Sequence, residues 1–475
     1  MTHLASEWRD RLWLIPRSTA LAMLACASTV ALALSAALST GGHATIDSVQ
    51  QIYEALSGRS VSWNPPFMSA LLQSLGVNNF VGAGISTAVF VAFVCIAFWS
   101  VPLLIAFTGR SSRISLPALL ACLLLVLNPV LIIYGGIVWK DVLFAALVSM
   151  GTAMALLSLG AKAGWARVVF AILAVCIIGI LPLVRQQGWV IGPVLLALPV
   201  LAMAWTGSWT TRRRVVFSLA MILVCVLAHS WGRHWSGSLI SGSEGQEMSV
   251  GFRSIQSFDL AGMEAFSRDG PLVGLGASPE ALEELQQHYT PERIDFLGLT
   301  PSLKALLSSR QETLAADWLN AIMEHPSAYL THRGEVLKAL FGGHSAGACL
   351  PVHFGIDGFD HQLNPLGLVR GSDVIDIHLF KLSIPLFETP IFKHWFYLGI
   401  LIAMALLILV HRRGRTRIAL LVVGGSTALF YLSFVPTAIA CDFRYLFPAI
   451  PTLTMMAAAY FFGWSEFSQQ EEKIP

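Results

Sequence analysis

Eight charged residues stand out by position: the acids Asp47, Glu54, Asp141 and Asp442, and the bases Arg59, Lys140, Arg185 and Arg444. Each lies in or beside a short break between long apolar runs. The chain has 28 Asp and Glu; nineteen fall in residues 231–391 and five in the tails (Glu7, Asp10, Glu466, Glu471, Glu472), which leaves these four. A carboxylate so placed can take a proton from a hydroxyl. Guanidinium and ammonium groups beside it can hold a phosphate, arginine through a two-pronged contact that lysine lacks. Charge beside a bilayer is costly and usually marks function. One such residue would read as local pairing at the interface; eight converging at one end read as a site.

Asp47 is the first candidate base. Thr45 can cap a short helix, and Asp47, Gln50, Gln51 and Glu54 then share one face at helical spacing. The bland alternative is that Asp47 completes the cap or meets Arg59. Pro65 and Pro66 suit the first turn of a following helix, which places Asn64 just before it. Asp141 is the second candidate. It follows Gly135-Gly136 and Lys140 at the start of an apolar run, where a helix dipole favours an acid in any case. Arg185 lies in Leu181-Pro-Leu-Val-Arg-Gln-Gln-Gly188, a turn with almost no loop, and Arg444 in Cys441-Asp-Phe-Arg-Tyr-Leu446, where Asp442 is an alternative partner. Lys140, Arg185 and Arg444 are the candidate phosphate ligands. Gln51, Glu54, Arg59, Asn64 and His344 complete the candidate binding set. His344, His353 and His361, with Asp357 and Asp360, form a His-rich loop that matches no standard metal spacing. These histidines read as surface or substrate contacts, and no metal or other cofactor is indicated.

The elements that must position these residues are membrane spans. Of 475 residues, 55% are hydrophobic and 12% charged, with a mean hydropathy of +0.67. Soluble chains carry about 25% charge, so an ordinary cytosolic enzyme and a disordered or fibrous chain are excluded. A net charge of +2 without a Lys/Arg-rich tract gives no sign of a nucleic-acid partner. Apolar runs near 19–38, 81–108, 115–134, 141–160, 168–184, 189–205, 215–230, 392–410, 418–436 and 444–463 approach the roughly 20 residues that a bilayer requires. They predict an all-α polytopic protein of ten spans. The first run is too long for a signal-peptide core, which is about 7–15 residues, and reads as an uncleaved anchor.

With the N-terminus inside, fifteen Lys and Arg fall in the inner short segments and tails, against five outside. That bias sets orientation. Both termini are predicted to be cytoplasmic and residues 231–391 to form an extracytoplasmic, mainly helical domain. It separates a module of seven spans (1–230, with outer loop 39–80) from one of three (392–475). Inside the domain, helices are expected from Glu312 to His325 and from Pro326 to Phe341. Tryptophans such as Trp63, Trp139 and Trp189 fall near span ends, as in an aromatic belt. Of seven cysteines, Cys349 and Cys441 are on the predicted outer side, where a disulfide between them is conceivable.

In order along the chain, Asp47, Trp63-Asn-Pro-Pro-Phe-Met68, Trp139-Lys-Asp-Val-Leu-Phe144, Arg185-Gln-Gln-Gly188, the stretch from Trp318 to Arg333, and Phe443-Arg-Tyr-Leu446 resemble GT-C type integral membrane glycosyltransferases, more narrowly the bacterial family 39-like enzymes. The resemblance covers most of the chain. It implies transfer of a sugar, with inversion, from a polyprenyl-phosphate donor to a hydroxyl of a glycan, lipid or protein, at the extracytoplasmic face of the bacterial inner membrane. It also implies that Asp47 activates the acceptor and that cations hold the phosphate. Two positions depart from the pattern: Asn64 stands where histidine is usual, and Ser48 where some relatives carry a second acid. A transporter or flippase, a polysaccharide polymerase or ligase, and a non-catalytic assembly protein compete. The near absence of charge within the spans and of an internal repeat speaks against transport, and the first-loop acid favours the transferase.

Overall fold

A computed structural model describes residues 14–39, 42–62, 64–76, 80–205, 209–242, 246–344, 347–356 and 374–464. The helices preceding the insert are α1 (Arg17–Leu38), α2 (Ile46–Ser57), α3 (Phe67–Ser74), α4 (Phe80–Thr108), α5 (Leu116–Val126), α6 (Pro129–Tyr134), α7 (Lys140–Gly160), α8 (Gly164–Val184), α9 (Gly188–Ala204) and α10 (Thr211–Leu239). The insert contains α11 (Gln246–Ala265), α12 (Pro271–Gly274), α13 (Pro279–His288), α14 (Pro301–Ser309), α15 (Leu314–Glu324), α16 (Pro326–Lys338) and α17 (Val374–Ser383). Then follow α18 (His394–His411), α19 (Gly414–Ser433) and α20 (Ala449–Phe461). Among the described residues the only strands are Leu14–Pro16 and Arg113–Ser115, an antiparallel pair with Ile15 opposite Ile114.

The chain is an all-α, multi-pass membrane protein. Among the described residues, eight stretches are long and apolar enough to cross a bilayer: α1, the part of α4 from Thr87, α5 with α6, α7, α8, α10, α18 and α19. The runs at 189–205 and 444–463 become α9 and α20, of 17 and 13 residues. At about 1.5 Å per residue, 13 residues rise only some 20 Å. α20 starts late because Phe443–Tyr445 forms a 3₁₀ turn and Pro448 follows it. The run at 115–134 is broken where Pro129 opens α6, with the Asn128 side chain accepting from Val130 N at 2.9 Å as its cap. α7 is the central helix: Ala145, Ala146, Gly151, Ala153 and Ala155 are buried, and these small residues let α8 pack closely. α10 is its opposite, with Leu219, Leu223, Val226 and Leu227 exposed as lipid-facing residues would be. It runs beyond residue 230 to Leu239.

The first long loop folds as two short helices. α2 starts at Ile46, with Thr45 N donating to Ser48 Oγ at 3.2 Å. It ends at Gly58, whose φ of +65° suits glycine. α3 follows the Pro65-Pro66 pair. In the insert, α15 and α16 lie close to the expected helices, α15 opening at Leu314 after a turn. The longest insert helix is α11, whose apolar positions carry no distinguishing sequence signal. Cys349 and Cys441 are disulfide-bonded.

Candidate functional site

A cavity of about 580 Å³ opens between the insert and one end of the helical bundle. Its polar wall is Asp47, Asn64, Lys140, Asp141, Arg185 and Arg444. Thus α2, the return to α3, the start of α7, the α8–α9 turn and the α19–α20 connection all meet there.

Arg444 is held by acids on two segments. It pairs with Asp47, and its Nη2 lies 3.2 Å from Asp442 Oδ2. Its guanidinium faces Trp139 at 5.0 Å and Tyr445 at 5.6 Å. Trp139 is fixed in turn, donating from Nε1 to Thr45 Oγ1 at 2.7 Å. Asp47 thus meets Arg444 rather than the Arg59 that its loop suggests.

Arg185 Nη1 lies 2.6 Å from Asp141 Oδ1 and donates to Tyr445 O at 3.0 Å. The guanidinium also faces Phe434 at 5.2 Å and Tyr445 at 5.6 Å. Arg185 and Asp141 are almost withdrawn from water, whereas the Asp47 side chain keeps 27% of its surface exposed. Asp47 is therefore the more reachable carboxylate. Burial raises its pKa, but Arg444 and then Lys140 outweigh that effect, and the carboxyl titrates below its ordinary value of 3.8. Lys140 Nζ donates to Asn64 Oδ1. Asn64 is buried, and its Nδ2 has no partner among the described residues.

The other binding candidates are outside the cavity lining. Glu54 is fully buried, with Oε1 accepting from Val61 N at 2.9 Å, Ser62 N at 2.8 Å and Ser62 Oγ at 2.8 Å, and Oε2 from Ser69 Oγ at 2.7 Å. These bonds fold the return after Gly58 and so set Asn64 beside Lys140. Gln51 is buried, and its Nε2 has no protein partner among the described residues. Arg59 is exposed, and its backbone bridges to Ser241. His344 closes the turn after α16. Trp63, Asp357, Asp360 and His361 lie outside the described residues. Among the described residues, no three of His, Cys, Asp and Glu gather as metal ligands would.

Sequence reasoning missed the apolar wall. Phe252 and Ile255 of α11, with Phe434, Thr437 and Ile439, line it, and Gln186, Gln187 and Tyr445 extend the polar side. Tyr445 was within reach, as the neighbour of Arg444. Phe252 and Ile255 look like ordinary core positions of a helix. Chemically, the cavity joins three cations suited to an anionic group, two carboxylates and an apolar surface.

No family model and no curated protein matches the chain. Among solved structures it is similar to the archaeal oligosaccharyltransferase AglB from Archaeoglobus fulgidus, in complex with an inhibitory peptide and a dolichol-phosphate. Identity is 13%, the TM-score 0.40, and the match covers 92% of this chain and 50% of that one. The chain thus spans half the length of the archaeal protein. It is also similar to ArnT from Cupriavidus metallidurans bound to undecaprenyl phosphate, at 13% identity and a TM-score of 0.34, over 92% of this chain and 77% of that one. At these values the likeness assigns no role to any residue here.

Proposed function

We propose that the protein is a GT-C type glycosyltransferase that moves a sugar from a polyprenyl-phosphate donor to a hydroxyl acceptor. The observation that carries this reading is the meeting of Asp47, Lys140, Asp141, Arg185 and Arg444, from separate parts of the sequence, around one cavity with an apolar wall. Lys140, Arg185 and Arg444 hold the donor phosphate, stabilising the charge that develops as it leaves. Asp47 takes the proton of the acceptor hydroxyl. That oxygen attacks the anomeric carbon, the carbon–oxygen bond to phosphate breaks, and polyprenyl phosphate departs with the electron pair. A single displacement of this kind inverts the anomeric centre. Asp141 keeps Arg185 in place through their ion pair. The apolar wall takes the first part of the polyprenyl chain.

We place the reaction on the extracytoplasmic side of a bacterial inner membrane, with both termini cytoplasmic and the 231–391 insert outside. The Lys/Arg bias supports this orientation. So does the Cys349–Cys441 disulfide, since such bonds persist in oxidising compartments. The acceptor is a glycan, lipid or protein hydroxyl. Incubating the purified protein with a panel of polyprenyl-phosphate sugars and measuring released polyprenyl phosphate tests the reading. Release from at least one donor, dependent on Asp47, is expected; no release from any donor, with acceptor mixtures present, sinks it.

A further inference from the structure

Arg444 sits three residues beyond Cys441, and residues 438–441 carry an unusual number of links to the insert. Arg333 Nη1 donates to Ala438 O at 2.7 Å. Ile294 N donates to Ile439 O at 2.9 Å. Ala440 forms an antiparallel bridge with Arg293. Cys441 N donates to Glu292 O at 2.8 Å, and its sulfur is bonded to Cys349. The strip is therefore held at every residue.

Both ends of this hold are themselves anchored. Arg333 is buried, with Nη2 lying 2.6 Å from Asp259 Oδ1. Asp259 also accepts from Trp318 Nε1 at 2.8 Å and meets His332 Nε2 at 3.2 Å, while Tyr289 Oη is 2.8 Å from His332 Nδ1. Such a buried carboxylate persists only with its partners in place, so Arg333 has little freedom to drift. Asp259 lies on α11, the helix that also presents Phe252 and Ile255 to the cavity. At the other end, Arg293 Nη1 donates to Ala348 O at 3.1 Å, tying the 292–294 strip to the chain next to Cys349.

We propose that the insert positions Arg444 for the donor phosphate by clamping residues 438–441, with Arg333 at one end and the Cys349–Cys441 disulfide at the other. Arg333, Cys349 and Cys441 are positioning residues and touch no substrate. The inference rests on the donor-phosphate role given to Arg444 above. It adds that the insert and the bundle share one geometric reference, so that the closed disulfide sets the place of Arg444 in the phosphate site.

The experiment is a double-variant cycle on the full chain in detergent, reading the affinity for undecaprenyl phosphate. Cys349→Ala/Cys441→Ala is expected to weaken binding by about tenfold, within the roughly hundredfold that a 1 Å misplacement can cost. In an Arg444→Ala background the same pair is expected to change affinity by less than about twofold, because the group it positions has gone. Loss of thermal stability alone, which removal of any disulfide brings, does not separate the two cases; the cycle does. Equal weakening in both backgrounds makes the disulfide merely structural and overturns the proposal. So does unchanged binding in the cysteine pair when Arg444→Ala weakens it. If Arg444→Ala itself leaves binding unchanged, the donor assignment falls, and this inference with it. Should the cysteine pair fail to fold, Arg333→Gln in the same cycle carries the test, with Arg333→Lys expected to restore part of the affinity.

Discussion

Arg444 reaches across 397 positions of sequence to pair with Asp47. The proposed base and one proposed phosphate ligand are thus in direct contact before any substrate arrives. A carboxylate gripped in this way is a poor proton acceptor, so a phosphate that draws on the charge of Arg444 also releases the basicity of Asp47.

Asp47→Asn should therefore lower transfer at least about a hundredfold, the scale of general-base catalysis, with the fold retained. If Asp47 were only a helix-start residue, asparagine would serve almost as well. Initial rates on the best donor, with a melting curve as control, decide; near-normal transfer moves the role to Asp141.

The pH profile carries the same relationship. The Asp47 carboxyl is held below its ordinary 3.8 by Arg444 and Lys140, which outweigh the opposing effect of burial. A depressed acid contributes stability that is present above its unfolded value and lost as pH falls through the folded one. kcat/KM, which reports the free protein, should show no acid limb from Asp47 above about pH 4. The limb in kcat should lie higher, because bound phosphate offsets Arg444. An acid limb near pH 6 in kcat/KM would count against this assignment.

Arg185→Ala should weaken undecaprenyl phosphate binding by roughly ten- to a hundredfold, the worth of one charge-assisted bond. Single alanine variants at Lys140, Arg185 and Arg444 with wild-type affinity would remove the phosphate site.

Asp141→Ala strands Arg185 in the bundle without its ion pair. Breaking a buried pair costs about 3–5 kcal/mol, which a shift in the denaturation midpoint would report. Little change in stability would show that Arg185 finds another partner.

Orientation is checked by single cysteines in intact cells. A membrane-impermeant thiol reagent should label a cysteine at His288, in the insert, and spare one at Arg415. The reverse pattern would put the cavity on the other side of the membrane.

Much of this was legible because bilayers impose length and charge rules. The first loop's proline pair and Thr45 placed α2 and α3, and the misplaced charges located the cavity's polar wall. What the sequence hid depended on distance in space. Glu54 has the look of a site acid, yet hydrogen bonds from Ser60, Val61, Ser62 and Ser69 turn it inward as a loop fastener. Arg59 carries the same kind of charge as Arg185, but it ends on an exposed turn. Phe252 and Ile255 reach the cavity only because α11 packs over it. α20 falls short of a bilayer because a 3₁₀ turn and Pro448 delay its start, and protein rather than lipid surrounds it.

That last point bears on how the molecule is made. From Ala449 to Tyr460 every residue of α20 is buried, against α4, α5, α7, α18 and α19. A helix of 13 residues is too short to cross a bilayer by itself, and every helix it packs against precedes it in the chain. Arg444 is threaded in immediately ahead of it. The cavity therefore has its full charge set only once the segment carrying Arg444 has reached Asp47.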